Sequence, residues 1–146
     1  MNTIKMKFGK CVEKLHQLSL SPVSDLTVLK ESKTGYVVDP NVPGLIALHP
    51  SYPILDALSQ EYHSGKIILQ DKASCIPASL LNVGPGCTVL DACAAPGNKT
   101  TLLAAAVGKT GHVFAIERDS ERVVILKNMV EKAGAFGCIF PIFLSI

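Results

Sequence analysis

The most restrictive feature of this chain is the segment Asp91–Thr100, which reads D-A-C-A-A-P-G-N-K-T. It follows the short apolar run Thr88–Leu90 and precedes an Ala- and Leu-rich stretch. The pattern predicts a strand, a loop of small residues and the start of a helix. Small residues let a ligand approach the loop backbone closely, and a helix that begins directly behind the loop points free N–H groups at an anionic ligand group. The segment therefore predicts a ligand-binding α/β domain.

Helices and strands alternate around this loop. Hydrophobic periodicity predicts a strand at Thr88–Asp91, a helix at Lys99–Val107, a second strand at His112–Ile116 and a second helix from Arg118 to Ala133. This order is typical of parallel strands joined by right-handed crossovers in a doubly wound sheet. Such a sheet binds ligands at the carboxyl ends of its strands.

The final segment, 135–146, contains no charged residue. Two interpretations stay open: a third, buried strand broken by Pro141, or sequence foreign to the domain. Sheets of this kind usually have more strands than this chain supplies. We therefore expect an incomplete domain whose open sheet edge promotes aggregation.

The remaining elements are predicted from shorter patterns. A strand is expected at Asn2–Phe8, an amphipathic helix at Lys10–Leu20 and one short helix at Ile54–His63. A further strand is expected at Gly65–Leu69 and a helix at Asp71–Leu81.

A second acidic residue supports the ligand site. Glu117 ends the second strand and lies 20 residues after Gly97. In dinucleotide-type folds a carboxylate about 20 residues past the turn accepts hydrogen bonds from both ribose hydroxyls. Arg122 lies one turn into the next helix, close enough to support Glu117 or the ligand. The alternative roles are a solvated strand-end acid for Glu117 and an exposed helix position for Arg122.

The loop sequence narrows the choice of ligand. It lacks G-x-G-x-x-G, which disfavours NAD and FAD, and Cys93 and Asn98 stand where a phosphate-binding P-loop requires glycine. A pyrophosphate needs more glycine-lined N–H groups than this loop offers. An adenosine with a small zwitterionic arm, as in S-adenosyl-L-methionine, fits better, with its carboxylate near the helix start and its ribose on Glu117.

Composition excludes several other classes of protein. The net charge of +2 is too small to indicate nucleic-acid binding by itself, and the lysine-rich first third is either a solvated basic face or an RNA-contacting one. The five cysteines form no C-x-x-C pair, so no metal site is expected, and their odd number without a signal peptide predicts a reducing compartment. No apolar run approaches the roughly 18 residues that span a bilayer.

The loop resembles the cofactor loop of the Sun/Fmu-type RNA cytosine-C5 methyltransferases, because A-P-G-x-K-T after an acidic strand end is rare elsewhere. Ile68–Ser74 resembles the family's Q-D-x-A-S segment, and Asp39–Pro43 and Asn2–Lys5 resemble further family segments. Asn98, where most members carry glycine, resembles the eukaryotic branch that methylates large-subunit ribosomal RNA. The resemblance covers residues 1–134 and stops at the uncharged tail.

The resemblance implies the N-terminal part of a Rossmann-like, S-adenosylmethionine-dependent methyltransferase domain over 67–146. A partial small α+β RNA-binding subdomain would precede it over 1–66. The implied cofactor is S-adenosyl-L-methionine, and the implied location is the nucleus or nucleolus. The implied partner is RNA, either ribosomal RNA or a pre-ribosomal particle. The loop would hold the methionine end of the cofactor, Glu117 its ribose, and Arg122 would support them. The implied cofactor-binding residues are Cys93, Ala94, Ala95, Pro96, Gly97, Asn98, Lys99, Glu117 and Arg122.

The chain lacks the motifs that carry the catalytic cysteines of the family. Family members use a cysteine thiolate that adds to C6 of cytosine, and the T-C-S and P-C-S-G motifs that carry their cysteines do not occur here. We interpret Cys93 as a small packed loop residue and assign no catalytic residue. We expect a chain shortened at both ends and catalytically incomplete. The alternatives are a non-catalytic RNA- or cofactor-binding regulatory fragment, an unstable product without function and, more distantly, an adenine-dinucleotide oxidoreductase.

Overall fold

The computed structural model describes residues 2–143 and contains two three-stranded sheets. The first sheet has the order β1-β2-β3, with β1 parallel to β2 and β2 antiparallel to β3. Its strands are β1 (Ser21–Pro22), β2 (Gly35–Val38) and β3 (Ile46–Leu48). The helices around it are α1 (Phe8–Gln17), α2 (Leu26–Glu31), α3 (Ile54–Ala57) and α4 (Ser59–His63).

The second sheet is parallel throughout and has the order β4-β5-β6. Its strands are β4 (Thr88–Asp91), β5 (His112–Glu117) and β6 (Ile139–Phe143). The helices α5 (Lys72–Leu80), α6 (Asn98–Val107) and α7 (Ser120–Ala133) alternate with these strands. The predicted parallel order of the strands is confirmed, and it places the ends of β4 and β5 side by side, since Asp91 is in register with Ala115. The predicted doubly wound arrangement is wrong for the described residues, because α6 and α7 pack on the same face of the sheet.

The core of this second unit lies between the sheet and the helices α6 and α7. Strand side chains that point toward the helices, such as Val89 and Val113, are buried against Val107 and Leu126. Side chains that point to the opposite face are exposed, which gives β5 its alternating burial. The alternation follows from the two-residue period of a strand.

Two predicted strands are wrong. The segment Asn2–Phe8 is a turn followed by the start of α1, because the N–H groups of Lys5 and Met6 donate to the carbonyl of Asn2 at 3.3 and 3.1 Å. In Gly65–Leu69, the N–H groups of Lys66 and Ile67 instead donate to the carbonyl of Glu61 at 2.9 and 3.2 Å. Local composition favoured strands in both places, and contacts with neighbouring turns and helices overrode it.

Other elements differ from expectation in their bounds. The single helix expected at Ile54–His63 is divided into α3 and α4 at Leu58, whose backbone leaves the helical region at φ −121°. In the tail, β6 pairs with β5 in continuous register across Pro141, so the expected third strand is confirmed and is not broken there. Proline is tolerated because β6 is an edge strand among the described strands. Residues 144–146 of the tail lie outside the described part of the chain.

Candidate cofactor site

The loop between β4 and α6 bends at Gly97, the residue directly before helix α6. This residue has φ 111° and ψ 0°, in the left-handed region that favours glycine. A Cβ at this position would lie 3.0 Å from Cδ1 of Leu126 and 3.1 Å from Cγ of Met129, both on α7. Gly97 therefore allows both the turn and the close approach of the loop to α7.

The buried residue Thr100 fastens the loop to the end of β4. Its hydroxyl donates to Oδ2 of Asp91 at 2.7 Å and lies 3.3 Å from the carbonyl of Ala94. The N–H of Cys93 donates to the other carboxylate oxygen of Asp91 at 3.4 Å. The N–H of Ala94 donates to the carbonyl of Ile116 at 3.0 Å, which ties the loop to β5 as well. The loop is thus held by both strands whose carboxyl ends it covers.

Glu117, the last residue of β5, also binds this loop through its carboxylate. The side chain is buried, and its carboxylate accepts hydrogen bonds from the backbone N–H groups of Ala95, Arg118 and Asp119 at 3.3, 3.0 and 3.1 Å. The N–H of Asp119, followed by the positive charge of Arg122, holds the pKa of Glu117 below its ordinary value of 4.5, although burial acts in the opposite direction. Glu117 is therefore an ionised acceptor at neutral pH.

Arg122 contacts both the loop and Glu117. Its Nη2 donates to the carbonyl of Ala95 at 2.8 Å, and its Nη1 lies 3.7 Å from Oε2 of Glu117. Asp119 places this arginine by capping α7, since its carboxylate accepts the N–H groups of Glu121 and Arg122 at 2.9 and 3.0 Å. Arg122 is thus an exposed helix residue, with its side chain 48% exposed, that also contacts the loop directly.

The structure brings most of the predicted site residues together. Ala94, Ala95 and Gly97 are buried in the loop, whereas Pro96 and Lys99 are exposed beside it and Asn98 is half-buried at the start of α6. The interpretation of Cys93 as a packed residue is wrong, because the side chain is exposed. The contacts of these residues with a ligand stay a prediction.

Sequence analysis missed two parts of the site. The pairing of Thr100 with Asp91 was not foreseen, although both residues belong to the motif that identified the loop. Gln70, which lines the same cleft as Asn98, lies far from the loop in sequence and carried no signal beyond its Q-D segment. Across residues 2–143, no group of His, Cys, Asp and Glu side chains is arranged to hold a metal ion, and no helix there has the length and apolarity to cross a membrane.

Solved structures share this architecture. A methyltransferase homologue from Pyrococcus horikoshii superimposes on 97% of this chain, and on 41% of its own length, with a TM-score of 0.75 and 22% sequence identity. In this chain, the shared fold carries a glycine-containing loop after β4 and an acid at the end of β5. The parallel sheet, with a glycine-containing loop at its carboxyl edge, defines a Rossmann-like α/β fold.

Sequence comparisons narrow this class to a family. The family model described as 16S rRNA methyltransferase RsmB/F matches residues 78–139. The 25S rRNA (cytosine-C(5))-methyltransferase rcm1 of Schizosaccharomyces pombe is 45% identical over 92% of this chain and 28% of its own length. The 28S rRNA (cytosine-C(5))-methyltransferase of Mus musculus is 40% identical over 84% of this chain and 26% of its own length. The chain is similar to the RsmB/F-type methyltransferases and spans about a quarter of the length of these relatives.

Proposed function

We propose that this chain forms the S-adenosyl-L-methionine-binding part of an RNA cytosine-C5 methyltransferase that acts on ribosomal RNA. The observation that carries the proposal is the loop held between Asp91 and Glu117 at the carboxyl edge of a parallel sheet. The names of the relatives, which are methyltransferases of 25S and 28S rRNA, support the reaction and the substrate. They also support a nuclear or nucleolar location.

The residues present fit this cofactor. When bound, it supplies a methyl group on a sulfonium centre. A carboxylate has about four acceptor positions, and Glu117 uses three of them on backbone N–H groups. One position is left, which fits a single ribose hydroxyl and not the two that the spacing predicts. The loop from Cys93 to Lys99 would hold the methionine end, and Gly97 keeps its backbone free of side-chain bulk. Arg122 would fix the loop by its bond to the Ala95 carbonyl.

We assign the RNA-facing role to residues 1–66 and the methyltransferase part to 67–146. The two sheets support this division, since the first lies within 21–48 and the second begins at residue 88. Lys7 and Lys10 are exposed on and beside α1 and would contact RNA phosphates. Such contacts release counterions, so we expect RNA affinity that falls steeply as salt rises from 50 to 200 mM. Affinity that does not change with salt would contradict the RNA-facing role.

The chain itself is expected to bind the cofactor without transferring its methyl group. Burial raises the pKa of the Cys11, Cys75 and Cys138 thiols, which keeps them protonated and poorly nucleophilic. Cys93 and Cys87 are exposed, and the T-C-S motif of the family nucleophile does not occur in the sequence. Incubation of the purified chain with ribosomal RNA and radiolabelled cofactor should give no labelled RNA. Labelling above that of a heat-denatured control would contradict this expectation.

Isothermal titration with S-adenosylhomocysteine, the demethylated product, tests cofactor binding. The wild-type chain and Glu131→Ala, a change at an exposed position on α7, should bind alike. Glu117→Ala should weaken binding by at least about tenfold, because a hydrogen bond from the ligand to a charged group is lost. A wild-type chain that melts cooperatively and does not bind would refute the proposed function, as would unchanged affinity in Glu117→Ala.

A further inference from the structure

One ion pair connects the loop of the first sheet to a helix of the second. Nζ of Lys72 lies 2.6 Å from Oδ2 of Asp39, and the side chain of Asp39 is only 7% exposed. Asp39 directly follows β2, whereas Lys72 is the first residue of α5, a helix packed against the core of the parallel sheet. Removal of the lysine charge would leave a carboxylate with little access to water, which is unfavourable.

The carboxylate of Asp39 also organises the loop that joins β2 to β3. Its Oδ1 accepts the N–H groups of Asn41 and Val42 at 2.9 and 3.1 Å. The backbone N–H of Asp39 donates to the carbonyl of Leu45 at 2.9 Å, which closes the loop. The bond from Lys72 to the other oxygen is the main reason that the pKa of Asp39 lies below its ordinary value of 3.8. One charged carboxylate therefore holds the loop and the start of α5 together.

The start of α5 has little support from its own sequence. Within this described helix, no acidic residue lies in the first turn, and the preceding residue, Asp71, makes no side-chain hydrogen bond to it. Lys72 places a positive charge at the end of the helix where the dipole is also positive, which is unfavourable. Asp39 neutralises this charge from the loop of the first sheet.

The same loop packs against α5 and α6. Val42 is buried, and residues 42–45 line one cavity together with Cys75 of α5 and Leu102 of α6. Apolar contact has no preferred direction, whereas a short charge-assisted hydrogen bond fixes which atoms meet. The ion pair therefore sets the position of the loop on the two helices.

We infer that the pair of Asp39 and Lys72 is a joint through which the β2–β3 loop and the start of α5 order each other. Loss of either charge would loosen both segments, although they lie far apart in the sequence. Under the proposed function, on which this consequence rests, the joint would keep residues 1–66, the RNA-facing part, in a fixed position beside the methyltransferase part.

Hydrogen–deuterium exchange of the full chain, measured by mass spectrometry, tests the joint in both directions. Lys72→Met keeps the length of the side chain and removes its charge. It should speed exchange in residues 39–45 by about tenfold, because a hydrogen bond to a charged group is lost. Asp39→Asn keeps an oxygen that can accept the loop N–H groups and removes the charge, so it should speed exchange in the first turn of α5 by a similar factor.

Two controls separate the charge pair from other effects of substitution. Asp25→Asn changes an acid with the same local geometry, since Oδ1 of Asp25 accepts the N–H groups of Thr27 and Val28 at 2.7 and 3.1 Å. This variant should leave exchange in α5 unchanged. Lys72→Arg keeps the charge and should exchange like wild type.

Faster exchange that is confined to the mutated segment, in either folded variant, would overturn the joint. Lys72→Arg exchanging as fast as Lys72→Met would also overturn it, because the charge would then not be what holds the loop. The two uncharged variants test the pair from opposite ends, so the result is decisive even if one of them does not fold. Neither RNA nor cofactor is present, so failure here leaves the proposed function intact, and failure of the cofactor titration leaves the joint intact.

Discussion

At Glu117, the backbone N–H groups of Ala95, Arg118 and Asp119 converge on one buried carboxylate. This convergence links the loop after β4 to the end of β5, and it favours the ionised form of the acid. The residue therefore contributes to the stability of the fold even without a ligand. Its contribution depends on pH, since a protonated carboxyl accepts these bonds less strongly.

Glu117→Gln should reveal this pH dependence. The pKa of Glu117 is lower in the folded chain than its ordinary value of 4.5, so its stabilising effect is complete above that value and is lost as pH falls through the folded pKa. The difference in free energy of unfolding between wild type and Glu117→Gln should be largest near pH 7 and shrink toward pH 3. Urea unfolding at pH 7, 5 and 3 measures it, with Glu131→Gln at an exposed position as control. A difference that is constant with pH would contradict the assignment.

Gly97→Ala should destabilise the loop. An alanine would have to adopt φ 111° and place its Cβ 3.0 Å from Leu126, so we expect a loss of about 1–3 kcal/mol in the free energy of unfolding. Chemical denaturation measures the loss, and cofactor affinity should fall in parallel. Gly137→Ala is the matched control, since its Cβ would meet no atom within 4 Å and it lacks a positive φ. Equal effects of the two substitutions would contradict this account of the loop.

Among the elements, α7 has side-chain hydrogen bonds to its free backbone groups at both ends. Asp119 caps its start, and Gly134 ends it with φ 70° in the left-handed region. At the carboxyl end, Nδ2 of Asn2 donates to the carbonyl of Ala133 at 2.8 Å, and Nζ of Lys5 donates to that of Lys132 at 2.6 Å. Carbonyls at this end of a helix have no partner within the helix, and a cation there is favourable to the helix dipole. The beginning of the chain is thereby attached to the end of α7.

Asn2→Ala should weaken this junction. The buried side chain also donates to the carbonyl of Gly65 at 2.8 Å and accepts from the N–H of Ile4 at 3.0 Å, so the substitution leaves several polar groups unpaired. We expect the free energy of unfolding to fall by about 1–3 kcal/mol. Thermal and urea unfolding measure the loss, with Asn41→Ala at an exposed position as control. A change as small as that of the control would show that the segment does not support α7.

On the scale of the whole molecule, the second sheet has one covered face and one open face. Helices α6 and α7 cover the first, whereas Leu90, Phe114 and Phe140 on the other are 59%, 36% and 43% exposed. The rings of Phe114 and Phe140 lie 5.5 Å apart and form one apolar surface. Parallel sheets are usually buried on both faces, so an open apolar face favours association.

The chain should therefore associate as its concentration rises. Static light scattering is expected to show an average mass that increases with concentration for wild type and increases less for the double variant Phe114→Thr/Phe140→Thr. Val124→Thr, at a 56% exposed position on α7, is the control and should behave like wild type. A wild-type mass that stays at one chain over the whole range would contradict this expectation.

Local sequence patterns predict the strands and helices around the parallel sheet, and they fail for two segments outside it. The strand Thr88–Asp91 was predicted with its observed bounds, and α6 and β5 differ from prediction by one residue each. These elements are marked by glycines, prolines and regular apolar spacing, which are local signals. The segments at Asn2–Phe8 and Gly65–Leu69 carry no such signal for the turns that form there. Their backbone N–H groups find partners in neighbouring turns and at the end of a helix, which a local pattern does not encode.

The sequence by itself determined the resemblance to one family, the order of strands and helices around the loop, and the position of Glu117 at a strand end. Each of these depends on residue types at fixed spacing along the chain. Only the tertiary structure decided that Thr100 fastens Asp91, that Arg122 bonds to Ala95, that Cys93 is exposed and that Gln70 shares a cleft with Asn98. These facts depend on distances between segments and on which side chains lose contact with water, and both are set when the sheet, the helices and the N-terminal segment pack together.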